Sequence, residues 1–244
     1  MRLTHAFLVI VDISGYTSFI NNRTVSLLHA EQIITELMES VIDRAEHPLI
    51  VNKLEGDAAL LYSENVAGDT AAARDVFAQV KAFFPAFYQR IALQLEQRAN
   101  CTCDACRNVD KLALKAFVHV GEFAIKQVRQ FEELAGEEVI LVHRLLKNKV
   151  PSREYVLMTE AARAAAGLDP ATLHAHREEL AGMGEAKLWV AEPAALPFDL
   201  PLARPTERPE VAVERAPVFH HLPADAPSAR TSPITRIRNW LGVG

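Results

Sequence analysis

The chain has 244 residues, of which 50% are hydrophobic and 23% charged, the balance of a soluble globular protein. Twenty-six Lys and Arg against 31 Asp and Glu leave a net charge of -5, which argues against a dedicated nucleic-acid binder, whose domain is normally basic. No apolar run reaches the roughly 18 residues of a spanning helix and no signal-peptide pattern opens the chain, so a cytoplasmic protein without a transmembrane segment is expected.

Residues 5–12, HAFLVIVD, form a continuous apolar run that reads as a buried strand. A long helix follows, with Leu27, Leu28, Ile34, Leu37, Met38, Val41 and Ile42 on one face. Residues 49–63 read as two short strands around the turn Glu55-Gly56, and Thr70 to about Ala99 as a helix with a Thr cap and a bend at Pro85. Residues 112–127 read as a hairpin pivoting near Gly121. A helix over 136–147, a strand over 154–159, a short helix over 160–167 and a closing strand over 186–191 complete the series. The order β-α-β-β-α-β predicts an α+β, ferredoxin-like split unit, with the helices on one face of an antiparallel sheet.

Nine of the 13 prolines fall between Pro193 and Pro233. Each removes a backbone donor and fixes φ, so two regions are expected: an ordered domain over 1–192 and a flexible Pro-rich tail over 193–244. The tail ends in ITRIRNWLGVG, where Ile234, Ile237, Trp240 and Leu241 recur at helical spacing. That segment is read as a short helix docking an unknown partner, a membrane-surface anchor or a frayed end.

Two carboxylates stand out. Asp12 leaves the first strand into Ile13-Ser14-Gly15-Tyr16-Thr17, where it either caps a helix or holds a cation beside a phosphate-compatible loop. Asp57 lies at the Glu55-Gly56 turn, which is also ordinary turn chemistry. In a split βαββαβ sheet the end of the first strand lies beside the turn between the second and third strands, so Asp12 and Asp57 are expected to converge. Such a pair suits two Mg²⁺ or Mn²⁺ ions and a nucleoside triphosphate.

The chain here resembles the class III nucleotidyl cyclases, through FLVIVDISGYTSF, KLEGD, HVGEFAI and AGEEVILVHRLLKN in that order. The HRLLKN segment and the cysteine cluster are closer to an uncharacterised cyclase-like family than to the well-studied cyclases. The resemblance covers roughly 5–191. It implies that Asp12, Asp57 and the Ile13 carbonyl are metal ligands, and that Lys53 and Glu133 read the base. It places Gly15, Tyr16 and Thr17 against the nucleotide. Arg144 becomes the transition-state cation in a homodimer that converts a nucleoside triphosphate to a cyclic nucleotide and pyrophosphate. Ile140 occupies the position of the family's catalytic Asn, and Met183 lies where a phosphate-binding Lys is usual. These departures support an alternative, a degenerate cyclase-homology domain that binds a nucleotide or a protein without turnover.

All three cysteines, Cys101, Cys103 and Cys106, lie within six positions, which excludes a disulfide framework. C-x-C-x-x-C is read either as a Zn²⁺ loop or as three reduced surface thiols. Three thiolates leave one tetrahedral position open, for His119, another His or a dimer partner.

Overall fold

The apolar run at 5–12 is the centre of a longer strand, β1 (Arg2–Ser14), because cross-strand partners extend on both sides of it. The computed structural model describes residues 1–20, 27–63 and 68–200, all within one unit, Met1–Leu202. A five-residue helix, α1 (Tyr16–Ile20), precedes α2 (Leu27–Ile42). Strands β2 (Leu49–Glu55) and β3 (Ala58–Ser63) form the expected hairpin. Helix α3 (Thr70–Gln97) runs on through Pro85, and its cap is Asp69 rather than Thr70, the Asp69 carboxylate accepting from the Ala71 and Ala72 amides. Asp69 is the stronger cap because its carboxylate reaches two of the unpaired first-turn amides at once.

Helix α4 (Asp104–Arg107) and a 3-10 turn (Val109–Lys111) lead into β4 (Ala113–Val128), then β5 (Phe131–Ala135), α5 (Glu137–Leu145), β6 (Tyr155–Thr159) and α6 (Glu160–Ala165). The pair β7 (His174–Leu180) and β8 (Gly184–Ala191) closes the sheet. Its order is β2-β3-β1-β4-β6-β8-β7, with β5 on β4. Every pairing is antiparallel except β4 with β6. The α+β class therefore holds, with a larger sheet than the six-element pattern required. Strand β7 was not read from the sequence, because HAHREEL alternates poorly and buries only Glu178 and Leu180.

Four expectations change. Gly121 does not turn a hairpin: β4 continues through it, and the reversal falls at 129–130, where Arg129 has a positive φ of 57°. The glycine serves close packing instead, since a Cβ there would lie 2.7 Å from the Glu138 side chain of α5. The helices also do not share one face. Alternation along β1 sends Phe7, Val9, Val11 and Ile13 into a core with α2, α3, α4 and α6, and Ala6, Leu8 and Ile10 into a second core with α5, β5 and β8. On α2, Leu27 and Leu28 are exposed and Ala30 and Ile33 take their place in the core. Finally, residues 193–200 are not tail: Pro193–Ala195 forms a 3-10 turn, Leu196 is buried, and the Phe198 ring meets Phe77 at 6.3 Å. Apolar contact overrides proline density there. The rest of the Pro-rich segment and the short C-terminal helix expected at its end fall within 201–244, outside the described residues.

Candidate functional site

Sheet register brings the carboxylates together. Asp12 pairs with Ala58 across β1 and β3, and Asp57 immediately precedes Ala58 in the β2–β3 turn. Gly56 carries the positive φ of 69° that this tight turn needs. The Ile13 amide donates to the Asp57 carbonyl at 3.0 Å, locking the two segments. On the other side of β1, Asp12 faces Lys115 of β4, whose ammonium is 3.6 Å from the carboxylate. Burial raises the Asp12 carboxyl above its usual range; Lys115 opposes this and the Asp57 charge adds to it. Burial raises Asp57 too, against its own backbone amide and Lys115. Lys115 was missed in the sequence; a cation inside the apolar run LALKAFVHV was a readable signal, but its place opposite Asp12 comes from the register.

Gly15, at φ 94°, turns the chain from β1 into α1 and accepts the Phe19 amide at 3.0 Å. Thr17 is exposed, whereas Tyr16 donates its hydroxyl to Glu31 of α2 at 3.2 Å. Lys53 lies 3.3 Å from Glu55 and 3.6 Å from Glu133, so the two residues expected to read a base do meet. Glu55 also reaches Nε2 of His143 at 3.0 Å, while Nδ1 of His143 lies 2.7 Å from the Val139 carbonyl. Both ring nitrogens thus face acceptors, and α5 is tied to the turn that carries Asp57. Arg144 is exposed in a surface groove with Ile140 and Lys147. Met183 sits in the β7–β8 turn, its amide donating to the Leu180 carbonyl at 2.9 Å.

A second group assembles around the cysteines. Nδ1 of His29, in the first turn of α2, lies 3.5 Å from the Cys101 and Cys103 sulfurs and 3.7 Å from that of Cys106. The four donor atoms lie within 4.8 Å of one another, a set able to hold a metal ion. Burial works against ionisation of Cys103, yet the Cys106 amide, His29 and the two neighbouring thiols outweigh it and lower its pKa to about 6. Burial, with the other two thiols, pushes Cys106 up to about 12.

His119 is not the fourth member of this group. Its Nε2 is 2.7 Å from Glu138 and its Nδ1 2.9 Å from the Thr159 hydroxyl. That hydroxyl accepts the Ala162 amide, so its proton is available to Nδ1 and the ring donates from Nε2. His119 therefore ties β4 to α5 and to the start of α6. His29 carried no sequence signal, being 72 residues from Cys101 on an otherwise ordinary helix.

Solved structures of nucleotidyl cyclases share the fold. The guanylyl cyclase Cya2 superposes with a TM-score of 0.62 at 15% identity, over 78% of this chain and 93% of that one. The adenylyl cyclase CyaB from P. aeruginosa gives 0.57 at 12% identity, over 79% and 97%. At such identities the likeness is one of fold. In sequence, 130 residues are 40% identical to the "Uncharacterized protein Rv2561/Rv2562" of Mycobacterium tuberculosis (strain ATCC 25618 / H37Rv), 52% of this chain and 57% of that relative's length. The family described as "Protein of unknown function (DUF2652)" matches residues 34–155, which include Asp57 and all three cysteines but neither Asp12 nor His29. Its match spans half of the chain, and the chain, built on a cyclase-like fold, belongs to the DUF2652 family.

Proposed function

We propose that the Asp12–Asp57 edge binds Mg²⁺ or Mn²⁺, two per site, with a nucleoside triphosphate, and that the protein closes it to a cyclic nucleotide with release of pyrophosphate. The observation that carries this reading is the register of Asp12 with Ala58, reinforced by the Ile13 amide on the Asp57 carbonyl at 3.0 Å. The donor set fits a hard divalent cation: two adjacent carboxylates, both raised by burial, hold negative charge that Lys115 offsets only in part. Such ions, when bound, neutralise triphosphate charge and lower the pKa of the attacking ribose hydroxyl.

The chain's own residues do the rest. Asp12, Asp57 and the Ile13 carbonyl supply oxygen ligands. Gly15, Tyr16 and Thr17 form the wall facing the phosphates. Lys53 and Glu133, already paired at 3.6 Å, present one donor and one acceptor to a base edge. The exposed Arg144 supplies its guanidinium to the charge that develops on the transferred phosphoryl group. Its exposure on α5 favours service to a nucleotide held by a second copy, hence a homodimer. The catalytic unit in this reading runs through the 193–200 strap, and the remaining tail recruits a further partner.

Incubation of the protein with ATP, GTP, CTP and UTP in Mn²⁺, followed by analysis for cyclic nucleotide and pyrophosphate, tests the reading. Product from at least one is expected, abolished by Arg144→Ala. Absence of product, together with no nucleotide-dependent thermal shift, would sink it and leave the non-catalytic module.

A further inference from the structure

We propose that His29, Cys101, Cys103 and Cys106 hold one Zn²⁺ ion in a closed structural site that clasps the first turn of α2 to the α3–β4 connection. The chemistry selects the ion. Three thiolates and one imidazole form a soft, tetrahedral donor set of the Cys₃His type, in which zinc takes four protein ligands and keeps no open position.

The distances agree with that geometry. Zn–S bonds of about 2.3 Å and a Zn–N bond of about 2.0–2.1 Å, at tetrahedral angles, set sulfur and nitrogen roughly 3.5–3.6 Å apart. The three separations from Nδ1 are 3.5, 3.5 and 3.7 Å. One disulfide among the three would leave a thiol and the imidazole without a role, whereas a metal uses all four donors.

The local backbone is already arranged for ligation. Cys103 caps α4, and its sulfur accepts the Cys106 amide at 3.5 Å, a bond that stabilises a thiolate without occupying its metal-facing side. The Cys101 amide donates to the Arg98 carbonyl at 2.8 Å, holding the first ligand against the end of α3. Cys106 is buried, and the cluster packs against the core that contains Ile33 and Val109.

The clasp has a mechanical consequence. Seven residues after His29 on the same helix, Glu36 receives Arg90 and Gln94 from α3 and Arg98 from its C-cap. Helix α2 is therefore fastened by Glu36 to α3 and by His29 to the segment that follows α3. Asn108 and Lys111, just past Cys106, line a cleft of about 410 Å³ with Ser14 and Gly15. The clasp therefore lies beside the segment that forms one wall of this cleft, independently of whether the β1–α1 loop meets a nucleotide.

The test uses full-length protein purified without chelator or metal-affinity resin. Elemental analysis should find close to one Zn²⁺ per chain, and growth on Co²⁺ should give the visible absorption of tetrahedral cobalt with thiolate charge transfer. Cys103→Ser and His29→Ala should lose the metal to a mild chelator that leaves the wild type loaded. His29→Cys should keep it, with the cobalt spectrum moved towards a four-thiolate site, so that a variant failing to fold does not decide the matter. Protein that is metal-free and takes up neither Zn²⁺ nor Co²⁺ under reducing conditions would overturn the proposal. So would iron in place of zinc, or a His29→Ala variant that retains the ion as firmly as wild type.

Discussion

The carboxylate edge and the thiol cluster both contain residues that stand out in the sequence, yet they are assembled by different means. Asp12 and Asp57 meet because two neighbouring strands pair in one register, and each lies beside the same residue, Ala58. His29 meets the cysteines only because α2 packs along α3, which delivers its first turn to a loop 72 to 77 residues away. Both meetings are long-range, but strand pairing runs in a fixed register, so the first follows once the strand order is known. Helix packing depends on the whole core, so the second does not. If both hold metal, its removal should cost different things at the two: like charges are left to repel at the edge, whereas unligated thiols leave a long loop unclosed.

The largest expected effect breaks this symmetry. Stripping metal from the clasp, or Cys103→Ser, should lower stability by several kcal/mol, on the order of a fraction of the roughly 10–16 kcal/mol that zinc contributes in small metal-folded peptides. Asp12→Asn should leave the melting temperature unchanged or slightly higher. Thermal melts with and without chelator compare them, and equal losses at both sites would erase the distinction. Next, Asp12→Asn and Asp57→Asn should each weaken Mn²⁺-dependent nucleotide binding about tenfold or more, roughly 1.4 kcal/mol or above, by calorimetry. Retained affinity in either variant would remove the shared cation.

Gly121→Ala should cost about 1–3 kcal/mol by overpacking, because its Cβ would meet Glu138 at 2.7 Å and His119 at 3.0 Å. Denaturant unfolding measures it, and a neutral result would mean that the Glu138 side chain moves aside and that Gly121 is not needed for close packing. His119 supplies a pH dependence: burial holds its pKa below the usual value, although Glu138 pulls the other way. The unfolded chain then binds the proton more tightly, so stability is full above a pH of about 6.5 and declines as pH falls towards the folded value. His119→Gln should flatten that decline in melts between neutral and acid pH. The smallest effect is at Lys53→Ala, whose partly exposed pair with Glu133 contributes about 0–1 kcal/mol to stability. A larger loss would mean that the Lys53–Glu133 pair is a structural element rather than one free to meet a ligand.

Much of the edge was legible. Asp12, Asp57, Lys53 and Glu133 were named from short motifs; the meeting of Asp12 and Asp57 follows from strand order, whereas that of Lys53 and Glu133 does not, because β2 and β5 are not neighbours in the sheet. Lys115 was legible in principle, being a charge within an apolar run, but only its register opposite Asp12 explains it. Gly121 was misread because a glycine between two apolar runs looks the same whether it turns a chain or makes room for a helix. The distinction lies in Glu138, which approaches from α5. Leu27 and Leu28 were misread because periodicity shows that a helix has an apolar face without fixing which residues at its end reach the core.

Apolar run length, alternation and turn residues act between near neighbours, so the sequence by itself determined β1, the long helices and the carboxylate-bearing hairpin, but not β5, β7 or the course of β4 through Gly121. Which face of the sheet each helix covers, where the 193–200 strap lies, and which histidine joins the thiols are set by contacts between residues far apart in the chain. Those contacts form only when the two cores close together, burying Val142 on one side of β1 and Phe77 on the other. Tertiary structure therefore decided that His119 is a buried bridge between β4, α5 and α6, and that His29 belongs with the cysteines.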